Sequence, residues 1–212
     1  DVILPCLAWG LSPFIMQSTE SLLSVSFNSS LQKYGGDIAG GAMTILTSIM
    51  QFAMMPLQGL TQGAQPIISY NYGIERWDRV DRVRRMLLTT SFIVGAIVTL
   101  LFLFVPEWLV GLFVDVNSTA AVIAIEGFPY YAAGIIFFIL NVAIIGYYQS
   151  IERVGRAMLI TALRGLIFIV PAFMLLPSLW GIPGIWLAMP VAEVLTLAVV
   201  VVMTKIGPSR KR

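Results

Sequence analysis

The chain has 212 residues, of which 58% are hydrophobic and only 11% charged, with a mean hydropathy of +0.88 and a net charge of +2. Soluble domains carry roughly 25% charged residues, so these values exclude an ordinary soluble fold and indicate an all-α integral membrane protein. One cysteine and no histidine exclude an internal disulfide and the His- or Cys-based clusters that hold metals, and Cys6 reads as a small apolar residue.

A hydrocarbon core of about 30 Å takes about 20 helical residues per crossing. Six apolar stretches of that length predict a six-helix bundle, over residues 10–32, 38–70, 86–105, 120–149, 157–176 and 184–204. Position 1 is Asp and the first residues read as the tail of a connection, so the chain is expected to be a piece of a longer protein.

The first span opens near Pro13 and closes at Tyr34-Gly35-Gly36-Asp37, a helix start and a turn signal. Inside it, Gln17, Glu20, Ser21, Ser24 and Asn28 recur at three- and four-residue steps and form one polar stripe on a helix. An ionisable side chain at the bilayer centre costs roughly 2.5 to 3.5 kcal/mol on insertion scales, so it faces a bundle interior or a wet cavity. Glu20 lies about 15 Å along the span, near the midplane. This stripe is read as one wall of a cavity.

The second span carries Pro56, Gly59, Gly63 and Pro66 and is expected to bend and to protrude beyond the membrane. Thr44, Ser48, Gln51, Met55, Gln58, Gln62 and Gln65 share a stripe that serves either as polar glue between helices or as a substrate-facing wall. In the following loop, Trp77, Val80 and Val83 sit at three-residue steps among arginines, which predicts a short amphipathic helix on the membrane surface. The third span is almost wholly aliphatic and is expected to face lipid.

The fourth span places Tyr130, Gly134, Phe137, Asn141 and Tyr148 on one face, with Asn141 about 15 residues in and so near the midplane. Tyr147 to Arg153 repeats the Tyr, then Ile-Glu-Arg, of Tyr70 to Arg76, by coincidence or by internal repetition. In the fifth span Arg164 lies about 12 Å deep; it either snorkels to the surface or pairs with a carboxylate. The sixth span carries Pro190 and Glu193, and the carboxylate can reach backbone donors freed by the kink or join the same site. Glu20, Asn141 and Glu193 thus converge on one depth, with Arg164 nearer the basic side.

Arg76, Arg79, Arg82, Arg84, Arg85, Arg153, Arg156, Lys205, Arg210, Lys211 and Arg212 follow the even-numbered spans, against Lys33 alone after an odd one. The positive-inside rule then makes both termini cytoplasmic. Because topology accounts for these arginines, they do not argue for nucleic acid.

Pro56-Leu57-Gln58-Gly59, followed by Gly63-Ala64-Gln65-Pro66-Ile67-Ile68-Ser69-Tyr70-Asn71-Tyr72-Gly73 and a basic loop, resembles the second helix of the C-terminal lobe of MATE (multidrug and toxic compound extrusion) transporters, the bacterial branch above all. Asn28 to Gly36 and Trp180-Gly181-Ile182-Pro183-Gly184-Ile185-Trp186 extend the likeness over essentially the whole chain. The resemblance implies one lobe of a twelve-helix transporter in the bacterial inner membrane, helices seven to twelve, with the N-terminal lobe absent. It implies secondary active efflux of a small organic, often cationic, compound in exchange for protons or sodium ions, with no other cofactor. Some branches carry a cation-site glutamate in the seventh helix, and Glu20 matches it; the acid those branches carry in the tenth helix is replaced here by Asn141. Glu20 is therefore expected to be the ion-responsive group, with Asn141 as neutral neighbour and Glu193 as second acid. Gln17, Ser24, Asn28, Gln51, Gln58, Tyr130 and Arg164 are the candidates to line the cavity. A lipid-linked oligosaccharide flippase of the same superfamily, or a non-exchanging channel or scaffold subunit, is the alternative. An intramembrane enzyme would need a metal site or a close acid pair, and the sequence offers neither.

Overall fold

The computed structural model describes Ile38 and residues 40–206. The first span, with Gln17, Glu20, Ser24 and Asn28, lies outside the described residues. Within them the chain is almost entirely helical and contains no strand.

Five helical stretches are long and apolar enough to cross a membrane. The first, α1 (Gly40–Gly73, 34 residues), stays helical through Pro56 and Pro66. At 1.5 Å per residue it measures about 50 Å, well beyond the hydrocarbon thickness of about 30 Å. A three-residue turn leads into α2 (Trp77–Phe104). Here the structure corrects the sequence reading, because the segment expected as a separate surface helix is the opening of α2 itself. The reason is register: Val80, Leu87, Ser91, Gly95, Val98 and Phe102 are all buried, so one inward stripe at helical spacing runs unbroken through the basic segment. The opposite face of α2 exposes Met86, Ile93, Ile97, Leu100 and Phe104, as a lipid-facing helix requires.

After the short α3 (Pro106–Gly111), Ser118 caps α4 (Thr119–Ser150) by accepting a hydrogen bond from the Ala121 amide at 3.3 Å. Helix α4 is the central element, contributing Ala124, Phe128, Ile135 and Ile139 to a core shared with α1, α2 and α7. Two of its glycines set the packing. A Cβ on Gly134 would stand 2.8 Å from the Pro190 Cα of α7, and one on Gly146 would strike the Thr61 methyl of α1. The next crossing is composite: α5 (Val154–Ala162) passes into a π-helical turn at Leu163–Phe168 and then α6 (Ile169–Trp180). Gly181, at φ 63°, turns the chain into α7 (Ile182–Ile206), a left-handed conformation that glycine adopts without steric penalty.

Candidate functional site

One carboxylate organises the middle of the bundle. Glu193 on α7 is 2% exposed and spends both oxygens on partners from two other elements. Arg164 of the π turn donates from Nε to Oε1 at 3.0 Å, and its Nη2 stands 2.9 Å from the same oxygen. The Asn141 carboxamide of α4 donates from Nδ2 to Oε2 at 2.8 Å and also to the Glu193 backbone carbonyl at 3.0 Å. The Arg164 guanidinium lies 4.3 Å from the Phe138 ring centroid, so a cation–π contact holds its other side.

The local sequence explains how three elements meet there. Gly134 lets α4 close onto Pro190, and Asn141 and Glu193 lie seven and three residues further on, two turns and one turn along their helices. The π turn brings Arg164 across from the fifth crossing; such turns carry one residue more than an α-helix and cluster at functional sites. Asn141 Oδ1 is buried with no partner among the described residues.

The structure thus brings together three of the residues singled out from the sequence, Asn141, Arg164 and Glu193. Of the two alternatives for Arg164, pairing holds over snorkelling, and Glu193 bonds to side chains of other elements. Beside them lies a half-open cleft of about 260 Å³, whose polar wall is formed by Gln58, Thr61, Gln62, Gln65, Gln149 and Arg164. Gln58 therefore lines a cavity. Gln51 is exposed on the same helix but outside this cleft, and Tyr130 is exposed on α4, two turns or more from the cluster. The sequence reading missed Thr61, Phe138 and Gln149; Gln149 follows Asn141 by eight residues, a spacing that places them on one helical face and could have pointed to it.

The MatE family profile matches residues 13–174. The chain belongs to the MatE family. MatE proteins are transporters rather than enzymes, and the chain is accordingly a multi-pass membrane protein. Among its relatives, the multidrug export protein MepA of Staphylococcus saprophyticus is 20% identical over 195 residues, covering 91% of this chain and 42% of MepA. The MATE multidrug transporter DinF-BH superposes with a TM-score of 0.79 at 28% identity, over 93% of this chain and 44% of its own. A mutant of the Vibrio cholerae MATE transporter VcmN gives a TM-score of 0.82 at 16% identity, over 98% of this chain and 49% of that one. The chain thus spans somewhat less than half the length of these MatE proteins.

Proposed function

We propose that this chain is the C-terminal lobe of a secondary multidrug exporter of the bacterial cytoplasmic membrane, exchanging an outgoing organic, often cationic, compound for incoming protons or sodium ions. The observation that carries the reading is the buried Glu193 carboxylate shared between Arg164 and Asn141. A cation arriving there, or a proton, cancels the charge that balances Arg164. Breaking a buried pair costs about 3–5 kcal/mol, comparable with the roughly 5.5 kcal/mol that takes a two-state equilibrium from one side to the other.

Asn141 suits both charge states. Its Nδ2 serves the carboxylate as a donor, and after an amide flip the unpartnered Oδ1 serves a protonated Glu193 as an acceptor. An aspartate at this position would offer no donor. Glu20, which lies outside the described residues, stays proposed as the ion-responsive acid on the strength of the sequence stripe it shares with Gln17, Ser24 and Asn28, with Glu193 as the second acid. The exposed row Thr44, Ser48, Gln51, Gln58 and Gln62 along α1 supports a partner lobe or a water-filled path on that side, since unpaired amides in hydrocarbon cost several kcal/mol. The basic residues gathered where α1 meets α2 and α4 meets α5 support a cytoplasmic location for that end. The flippase alternative is less favoured: the described cleft presents one cation, Arg164, and Glu193 neutralises it.

The test is ion-driven efflux by the full-length protein in vesicles. Glu193→Gln and Glu20→Gln each keep size and hydrogen-bonding reach while removing the charge, and each should abolish ion-dependent export with insertion near normal. Wild-type export by both variants would sink the coupling role of these acids, and a lack of substrate counterflow in the wild type would favour a channel or scaffold.

A further inference from the structure

The repeated Tyr, Ile-Glu-Arg pattern folds the same way twice. Glu75 and Glu152 both take left-handed backbone, at φ 58° and 59°. The Arg76 amide donates to the Asn71 carbonyl and the Arg153 amide to the Tyr148 carbonyl, each at 2.9 Å. Arg76 and Arg153 then each precede the next helix, α2 and α5. A side chain in the left-handed region is sterically disfavoured, and the same strain at the same register in both turns marks a repeated element.

These twin turns lie against each other. Ser69 Oγ donates to the Ser150 carbonyl at 2.9 Å, and the Gln65 and Gln149 carboxamides meet at 3.4 Å. Their juxtaposition builds an aromatic and basic cluster between α2, α4 and α5. The Tyr147 and Tyr148 rings sit 5.6 Å apart. Arg84 of α2 covers Tyr147 at 5.5 Å, and Arg156 of α5 covers Tyr148 at 5.7 Å. The acids at this end are Glu75, Asp78, Asp81 and Glu152 against seven arginines, and Asp81 makes a 3.2 Å ion pair with Arg84. Arg84 Nε has no acceptor among the described residues. The guanidinium is therefore only partly satisfied. From Met86 onward, the exposed apolar face of α2 runs away from the cluster along the spanning direction.

We infer that Arg84 and Arg156, held on the Tyr147–Tyr148 pair, bind the phosphate of an anionic phospholipid whose acyl chains lie along the apolar face of α2. Two arginines, one from each of two helices that pack on α4, offer a phosphate donors in a way that a zwitterionic headgroup, with its own ammonium, does not reward. The adjoining apolar face selects a lipid over a free anion, because burying a chain there adds favourable area at no electrostatic expense. Basic pockets between spanning helices at the membrane surface bind anionic headgroups for the same reason.

The test is lipid retention by the full-length transporter, read by native mass spectrometry with phosphatidylglycerol and phosphatidylcholine in competition. The wild type should retain phosphatidylglycerol selectively, and Arg84→Gln/Arg156→Gln should weaken that binding roughly thirtyfold, at about 1 kcal/mol per arginine near the surface. Millimolar inorganic phosphate should not displace the lipid. Arg84→Lys/Arg156→Lys keeps the charge without the planar fork, so it should fall between the two, and it serves alone if the glutamine pair does not fold. Equal retention of the two lipids by the wild type, or wild-type phosphatidylglycerol binding in either double variant, would overturn the assignment; displacement by inorganic phosphate would mark a free-anion site and overturn it as well.

Discussion

Removing either member of the buried pair should cost stability, the two single losses should differ, and removing both should cost less than their sum. Arg164→Met leaves a 3%-exposed carboxylate with the Asn141 amide as its remaining side-chain partner, so we expect a loss of about 3–5 kcal/mol. Glu193→Gln leaves a guanidinium that is 16% exposed to the cleft and still stacked on Phe138. That residual contact contributes about 1–2 kcal/mol, so this variant should lose correspondingly less. The double variant Arg164→Met/Glu193→Gln removes both charges and should recover about 2–3 kcal/mol of the summed losses, a coupling within the usual range for directly contacting residues. The measurement is a double-mutant cycle on the full-length protein by reversible unfolding in mixed micelles. A coupling below about 0.5 kcal/mol, or a larger loss in Glu193→Gln than in Arg164→Met, would refute the view that Glu193 is the desolvated member of the pair.

Gly134→Val should destabilise by about 1–3 kcal/mol through overpacking, because the new Cβ meets backbone at Pro190 rather than a movable side chain; a thermal melt within a degree of wild type would contradict this. Glu75→Gly and Glu152→Gly should each stabilise by about 1 kcal/mol, since φ near 58° penalises any Cβ, and unchanged melts would show that the turns carry no strain. For topology, single cysteines at Asn117 and Asp78 should react with an impermeant reagent from opposite sides of the membrane, and reaction from one side would reverse the orientation argument.

The membrane class was legible in composition, because apolar spans of about 20 residues have no other use for so little charge. The start of α2 was not, since the arginines at positions 79, 82, 84 and 85 mask a buried stripe that only the register from Val80 to Phe102 reveals. Asn141, Arg164 and Glu193 were visible as polar intrusions, but their contact joins residues 29 and 52 positions apart. Helical depth can align such residues, whereas contact depends on which faces the neighbouring helices present. The π turn left no such mark. Apart from Arg164 itself, Leu-Arg-Gly-Leu-Ile-Phe differs from an ordinary apolar span only by Gly165, and a single glycine does not specify a π turn.

The cluster is also mechanically lopsided, and that decides where a charge change should be felt. Asn141 and Glu193 sit on α4 and α7, which Gly134 and Pro190 lock in close contact and whose side chains fill a common core. Arg164 instead arrives from a π turn with a single buried residue, Leu163, so few packing contacts resist its rearrangement. Regions with little buried apolar contact open at low free energy, and a π turn can relax toward α-helix by shifting one residue. Discharging Glu193 should therefore loosen residues 163–168 first and leave the α4–α7 junction closed. Hydrogen exchange on the full-length Glu193→Gln variant should show faster exchange at the amides of the π turn and the start of α6, with α4 and α7 protected as in wild type. If protection is lost instead along α7 around Pro190, the pair is clamping the core helices together, and Arg164 is not the moving part.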